Sequence, residues 1–171
     1  PLAHLFSISV DTLSFPTKWK IADDVPVPKT SNLKLQDLRP ISKLPICSKV
    51  LEGLVLRSVQ PQIIVIYGKN QYSFRPKTST LHAHISMQDF ISTQIDDITV
   101  HDVLLIAFDL SKAFDKLNHM ALLRTLNGSN LPCKFVQWCK SYLFNKSQHV
   151  TLSSSARSNA APATSGIPQG A

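Results

Sequence analysis

Cysteine, acidic residues and long apolar runs are scarce in this chain of 171 residues, and each shortage excludes a class of protein. The three cysteines form no CxxC pair and are odd in number, which argues against a disulfide framework or a zinc site and favours a reducing compartment. No apolar run reaches the roughly 18 residues that a membrane-spanning helix needs, and the N-terminus lacks the pattern of a signal peptide. Charged residues make up only 17% of the chain, so we expect one folded domain with a core.

The shortage of acidic residues leaves the chain strongly basic. Lysine and arginine number 18 against 11 aspartate and glutamate, which gives a net charge of +7. An excess of this size favours an anionic partner, nucleic acid first. Charge alone leaves open the alternative of a basic protein with no such partner. Neither a GxSxG nucleophile motif nor a Walker-type GK[ST] loop is present in the sequence.

The most informative stretch is an apolar run, Val103–Phe108, that ends abruptly on Asp109. Such a run predicts a strand buried on both faces, with Asp109 at its carboxyl end, where sheets open to ligands. A carboxylate at that position fits a Mg²⁺ site, because Mg²⁺ prefers hard oxygen ligands. Taken alone, a single aspartate does not establish such a site, since it also fits a helix cap or a solvated position.

Periodicity predicts several helices around this stretch. One begins near an N-cap at Ser48 and is ended or kinked by Pro61. Another begins after Ser79 or Thr80 and runs to about Gln94, with apolar residues facing inward at Leu81, Ile85, Ile91 and Ile95. Two more helices follow Asp115, one with His119, Leu122, Leu123 and Leu126 on one face and one starting at Pro132 with Phe135, Trp138, Cys139 and Tyr142 inward.

Extended segments are predicted on either side of these helices. Residues 18–28 contain two prolines and read as an edge strand or an arm, because proline cannot donate to a sheet. The sequence Arg39-Pro40-Ile41-Ser42 is expected to be extended, since a residue before proline avoids helix. Residues 148–152 predict a further strand, a return strand falls within 153–164, and residues 165–170 form a tight loop rich in glycine and proline.

Six blocks then occur in a characteristic order. They are WKIADDVPVPK (19–29), LRPISKLPICSKVLE (38–52), QYSFRPKTST (71–80), LLIAFDLSKAFDKLNH (104–119), WCKSYLFNKSQHVTL (138–152) and TSGIPQGA (164–171). In order and spacing they resemble the reverse transcriptase of non-LTR (LINE-like) retrotransposons, over nearly the whole chain. The third block departs from the family pattern, which has a glycine where Ser73 stands and a Gly-Arg pair where Lys77-Thr78 stand.

The resemblance implies an RNA-directed DNA polymerase with an α+β, right-hand fold, of which this chain is a fragment. Residues 1–100 would form fingers and 101–171 part of an antiparallel palm, with 71–98 bridging the two. The expected partners are an RNA template, a DNA primer and a dNTP, with no membrane, and the expected location is the nucleus. The expected reaction is attack of the primer 3′-hydroxyl on the dNTP, assisted by two Mg²⁺ ions.

The resemblance also assigns the catalytic residues. Asp109 would bind the two Mg²⁺ ions, and Leu110 would add its backbone carbonyl. Phe114 would be the steric gate that excludes a 2′-hydroxyl, although ordinary core packing is an alternative. Asp115 would be structural and cap the helix that starts at His119.

Further residues are expected to contact nucleotide and template. Lys29 and Arg39 would bind the triphosphate, with Arg39 able to use two donors. Arg75 and Lys77 would contact template phosphates. The loop residues that would pack against the nascent base pair are Gly166, Pro168, Gln169 and Gly170.

The family's third catalytic block, an aromatic-x-Asp-Asp hairpin, is missing from the sequence. The adjacent carboxylate pairs that are present, Asp23-Asp24 and Asp96-Asp97, lie upstream and in unsuitable contexts. One aspartate cannot hold two Mg²⁺ ions, so these residues alone are expected to be inactive. The alternative is a non-catalytic RNA-binding remnant of a decayed element, which would use only the basic fingers.

Overall fold

A computed structural model of the protein describes residues 1–28, 38–153 and 156–169. The predicted alternation of helices and strands is confirmed: the fold is mixed α and β. In chain order, its elements are α1 (Leu2–Asp11), β1 (Ile21–Pro28), β2 (Leu38–Lys43), α2 (Ile46–Ile66), α3 (Thr80–Ile95), α4 (His119–Gly128), α5 (Cys133–Leu143), β3 (Lys146–Val150) and β4 (Ala161–Ala163).

The four described strands form one sheet in the order β2-β1-β3-β4. Strand β1 pairs antiparallel with β2, and β3 pairs antiparallel with β4. Strands β1 and β3 are parallel, with Ile21–Asp24 opposite Ser147–Val150. The sheet is therefore mixed, and the expectation of an antiparallel sheet was wrong at this pair. A long connection that includes helices separates β1 from β3, which is what a parallel pairing requires.

Strand β1 pairs with both of its neighbouring strands over only part of its length. Asp23 and Asp24 pair with both β2 and β3, Ile21 and Ala22 pair only with β3, and the second half, Val25–Pro28, pairs only with β2. Both prolines of β1, Pro26 and Pro28, lie in this second half, where a missing N–H can be tolerated. The prediction of an edge strand was thus correct for the half of the segment that contains the prolines.

The chain divides into two compact units. The first unit consists of Pro1–Gln60 and Lys112–Ala171, and the second unit consists of Pro61–Ser111. The boundary falls within α2, which continues past Pro61 to Ile66. Pro61 therefore does not end the helix, because one proline removes one hydrogen bond and the others remain. Ser48 is not an N-cap either: it is buried inside α2, where its hydroxyl donates to Glu52 Oε1 at 2.6 Å.

An aromatic cluster forms the core of the first unit. Phe15 is 1% exposed, and its ring centroid lies 5.5 Å from that of Trp138 and 5.0 Å from that of Tyr142, in edge-to-face contacts. The Trp138 and Tyr142 rings stack with an interplanar angle of 7°. Leu51 and Val55 of α2 complete the cluster. The predicted inward face of α5 is confirmed, since Phe135 and Cys139 also pack against it.

The second unit has little buried apolar surface. Helix α3 forms as predicted, but Leu81, Ile85 and Ile95 are all exposed, so their expected burial was wrong. Residues 103–108 are irregular, with Phe108 92% exposed, and the predicted strand is absent. A strand needs a neighbour for its backbone hydrogen bonds, and this segment is paired with no described strand. Asp109 consequently does not stand at the end of a strand.

No helix in the described part of the chain combines the length and the apolar character needed to cross a membrane.

Candidate functional site

A cavity of about 320 Å³ lies in the first unit between the sheet and the loop Thr164–Gln169. The sheet contributes residues from all four strands, including Asp24 of β1 and Ser42 of β2. Asp115 and His119 form the side that precedes and begins α4. The cavity therefore joins parts of five of the blocks that carry the family resemblance.

The loop approaches the segment before α4 too closely for any side chain at Gly166. Gly166 has a φ of +78°, and a Cβ atom there would lie 2.8 Å from the Asp115 carbonyl oxygen and 2.9 Å from that of Phe114. The backbone N–H of Gly166 donates to the Leu117 carbonyl at 2.8 Å, and that of Ile167 donates to the Phe114 carbonyl at 3.0 Å. Glycine allows both the left-handed backbone and the close approach.

Two side chains hold the same loop. The Gln169 amide nitrogen Nε2 donates to Asp115 Oδ1 at 2.6 Å. His119 is 6% exposed, and its Nε2 lies 2.6 Å from the Gly166 carbonyl oxygen, so that nitrogen is the donor. The expected helix cap at Asp115 was wrong: Asn118 is the N-cap of α4, and its side chain accepts from the Ala121 N–H at 2.9 Å. The Asp115 carboxylate is therefore available to bind Gln169.

A buried carboxylate lies on the sheet side of the cavity. Asp24 is 6% exposed, and its Oδ1 accepts a hydrogen bond of 2.6 Å from the Ser42 hydroxyl. The Ser42 backbone N–H donates to the Gln169 carbonyl at 2.8 Å, so β2 is joined to the loop. The sequence prediction missed Asp24 because it considered Asp23-Asp24 only as a metal-binding pair and rejected it in that role. In a strand, residues two positions apart face the same side of the sheet, and Ala22 is buried. This alternation is the sequence signal that could have indicated the burial of Asp24.

A partly buried lysine borders the same cavity. Lys146 Nζ lies 3.3 Å from the centroid of the Tyr142 ring, a cation–π contact. Burial lowers the pKa of Lys146 to about 8, although the Glu52 carboxylate acts in the opposite direction. The Tyr142 hydroxyl donates to Glu52 Oε2 at 3.0 Å, and burial raises the Tyr142 pKa. No sequence motif indicated this lysine, because its environment comes from α2 and α5.

The structure brings some of the predicted site residues together. Gln169 and the segment containing Phe114 meet across the loop contact, and the Phe114 ring is half-exposed. Arg39 is exposed on β2, the strand that brings Pro40 and Ser42 to the cavity. Lys29 and Gly170 lie outside the described residues.

The remaining predicted residues belong to the second unit. Asp109 is exposed in an irregular segment, and the next residue, Leu110, is 79% exposed. Arg75 is partly buried, and its carbonyl accepts from the Thr78 hydroxyl at 2.8 Å. Lys77 is exposed with a positive φ of 62°.

The described residues do not fit a two-metal site. Among them, no group of three or more His, Cys, Asp or Glu side chains is close enough to hold a metal ion. Two Mg²⁺ ions require several oxygen ligands at once, because each ion prefers octahedral coordination. Asp109 can contribute one carboxylate to such a site but cannot form it.

Comparison with known proteins supports the resemblance found in the sequence. The family described as reverse transcriptase (RNA-dependent DNA polymerase) matches residues 27–171. The chain is 26% identical over 174 aligned residues to the RNA-directed DNA polymerase from mobile element jockey of Drosophila melanogaster. That alignment covers 99% of this chain but only 18% of the length of the jockey protein.

Reverse transcriptases generally use divalent metal ions, which is the chemistry that the Asp109 assignment anticipates. The match extends through most of the chain and includes both segments that meet at the cavity, residues 114–119 and 164–169. The predicted resemblance to the polymerase of a mobile element is therefore confirmed. The chain belongs to the reverse transcriptase family.

Proposed function

We propose that this chain forms part of the nucleotide-binding region of an RNA-directed DNA polymerase, encoded by a non-LTR retrotransposon. The observation that carries the proposal is the contact between Gln169 and Asp115. It unites two blocks of the family, AFDLSKAFD and TSGIPQG, through a 2.6 Å hydrogen bond between residues 54 positions apart. The reaction is template-directed transfer of a nucleotide from a dNTP to the 3′-hydroxyl of a DNA primer on an RNA template.

The proposed nucleotide contacts follow the loop and β2. Phe114 is the steric gate: a ring without hydrogen-bonding groups leaves neither room nor a partner for a 2′-hydroxyl. Its half-exposed ring supports this role over complete burial in a core. Arg39 is exposed and can offer two donors to a phosphate. The other proposed contacts are Lys29, Gln169 and Gly170 with the nucleotide, and Arg75 and Lys77 with the template.

Asp109 is proposed as one carboxylate ligand of Mg²⁺, with the Leu110 carbonyl as a second oxygen. Its exposure leaves the carboxylate accessible to an ion and to further ligands. The other ligands of a two-ion site would have to come from outside the described residues. Residues 1–100 are proposed as fingers and 101–171 as part of the palm, with 71–98 between them. Priming at chromosomal targets would make the nucleus the site of action.

The test uses the polypeptide encoded by the whole reading frame that contains these residues. We expect Asp109→Asn to abolish primer extension on an RNA template with Mg²⁺ while leaving template binding within about twofold, since a neutral amide is a poor ligand for a hard cation. The matched control is Asp102→Asn, which changes a nearby exposed aspartate and should leave both activities unchanged.

Three outcomes separate the possibilities. Loss of synthesis in Asp109→Asn alone supports the metal assignment. Full synthesis by Asp109→Asn contradicts it. RNA binding without synthesis by the unmodified polypeptide would instead favour the second candidate, a non-catalytic RNA-binding remnant, which the net charge of +7 also accommodates.

A further inference from the structure

The carboxylate of Asp115 does not cap α4, the helix that follows it. The N-cap position of α4 belongs to Asn118. Asp115 Oδ1 instead accepts a hydrogen bond from the Gln169 amide at 2.6 Å. We propose that Asp115 is a positioning residue for Gln169: its carboxylate determines which end of the Gln169 amide faces the cavity.

The chemistry of the two groups determines the orientation. An ionised carboxylate can only accept hydrogen bonds, whereas a carboxamide has a donor end and an acceptor end. The NH₂ group of Gln169 must therefore face Asp115, and its carbonyl oxygen Oε1 is directed elsewhere. Among the described residues, Oε1 accepts no hydrogen bond, and it is not a buried atom without a partner. Since Gln169 lines the cavity, it offers an acceptor there.

The loop backbone is held without the Asp115 carboxylate. Gly166 and Ile167 donate to the carbonyls of Leu117 and Phe114, and His119 donates to the Gly166 carbonyl. The Ser42 N–H binds the Gln169 carbonyl from the other side. Removing the carboxylate should therefore free the Gln169 side chain without releasing the loop. This separates a positioning role from a merely structural one.

The consequence for nucleotide binding rests on the proposed function, in which Gln169 contacts the incoming nucleotide. With Asp115 present, a nucleotide meets one fixed orientation of the amide. Without it, the amide populates both orientations, and the nucleotide must select one of them. The cost falls on nucleotide binding and leaves the chemical step unchanged, so the KM for dNTP should rise while kcat stays constant.

The deciding experiment measures solvent exchange of side-chain amides by NMR in the ¹⁵N-labelled 171-residue chain. In the unmodified chain, the Gln169 NH₂ should exchange about tenfold more slowly than that of Gln62, an exposed residue of α2. Asp115→Leu should bring Gln169 to the Gln62 rate. Asp115→Asn should give an intermediate rate, because asparagine can still accept but can also present its own donor. Asp11→Asn is the matched control and should change nothing.

Backbone amides of Gly166 and Ile167 provide the internal reference. They should remain protected in Asp115→Leu. An unchanged Gln169 rate in Asp115→Leu would overturn the proposal, because the carboxylate would not hold the amide. Loss of protection at Gly166 and Ile167 would also overturn it, because Asp115 would then support the loop as a whole.

A kinetic measurement on the whole-frame polypeptide tests the consequence separately. Because one of the two amide orientations is competent, Asp115→Leu should raise the KM for dNTP about twofold with kcat unchanged. Absence of any synthesis by the unmodified polypeptide would refute the proposed function but not the positioning, which the NMR rates decide. A fall in kcat with unchanged KM would contradict the effect on binding.

Discussion

Replacement of Gly166 by alanine tests the contact between the loop and the segment before α4 most directly. The added Cβ would lie 2.8 Å from the Asp115 carbonyl oxygen and 2.9 Å from that of Phe114, and both are backbone atoms that cannot rotate away. The residue would also keep a φ of +78°, which disfavours any side chain. The loop must therefore move, and its hydrogen bonds to Leu117 and His119 must lengthen.

The expected loss of stability can be estimated from these contributions. A left-handed conformation costs a non-glycine residue roughly 1–2 kcal/mol, and each weakened hydrogen bond costs about 1 kcal/mol. We expect Gly166→Ala to lower the free energy of unfolding by about 3 kcal/mol. For a chain of this size the melting temperature should fall by roughly 6–12 °C. Urea denaturation followed by tryptophan fluorescence and a thermal melt by circular dichroism both measure the change.

Gly53→Ala is the matched control, and it should act in the opposite direction. Gly53 lies inside α2, and a Cβ there would meet no atom within 4 Å. Alanine is favoured over glycine in a helix interior by about 0.5–1 kcal/mol, so this variant should be slightly more stable. If Gly166→Ala unfolds within about 0.5 kcal/mol of the unmodified chain, the close packing of the loop is refuted.

Two further predictions concern titratable groups in the first unit. Because burial lowers the Lys146 pKa to about 8 from 10.5, the unfolded chain binds more protons between these pH values, so the free energy of unfolding should rise with pH there. Urea titrations from pH 7.5 to 10 should show this rise relative to Lys146→Met; a constant difference between the two proteins would contradict it. Burial raises the Cys139 pKa to about 11, so iodoacetamide at pH 8 should modify the exposed Cys133 well before Cys139, as peptide mass spectrometry can verify; equal rates would refute the burial of Cys139.

Local elements of the fold were predictable because they depend on neighbouring residues. The helical spacing of the apolar residues in α5, which places Trp138 and Tyr142 on one face, correctly predicted both the helix and its buried side. The extended segment around Arg39 was also predicted, since a residue before proline avoids helix. Helix α3 was predicted correctly, but the predicted burial of its apolar residues was wrong, because the environment of a helix depends on distant parts of the chain.

The apolar run before Asp109 shows where local reasoning fails. A continuous run of this composition favours a buried strand, yet residues 103–108 are irregular and exposed. Strand formation requires hydrogen bonds to a second strand, so composition alone cannot determine it. The parallel pairing of β1 and β3 was missed for the same reason, since it joins residues more than a hundred positions apart.

The candidate site also combines features that local sequence reveals with features that depend on contacts between distant residues. Sequence motifs identified the family, because the order of the blocks is preserved in the chain itself, and they predicted Asp109, Phe114 and Gln169 as site residues. The role of Asp115 was not accessible in this way: a carboxylate just before a helix predicts a cap, whereas its partner, Gln169, is 54 positions away.

The sequence by itself determined the family, the helical periodicities and the glycine-rich character of the loop, because these depend on residue type and spacing. Tertiary structure alone decided that Asp24 is buried beside Ser42, that Lys146 lies against Tyr142, and that Asp115 holds Gln169. Each of these contacts depends on which surfaces meet after folding. Burial and hydrogen-bond partners at the cavity arise from contacts between distant segments, so the sequence of one segment cannot specify them.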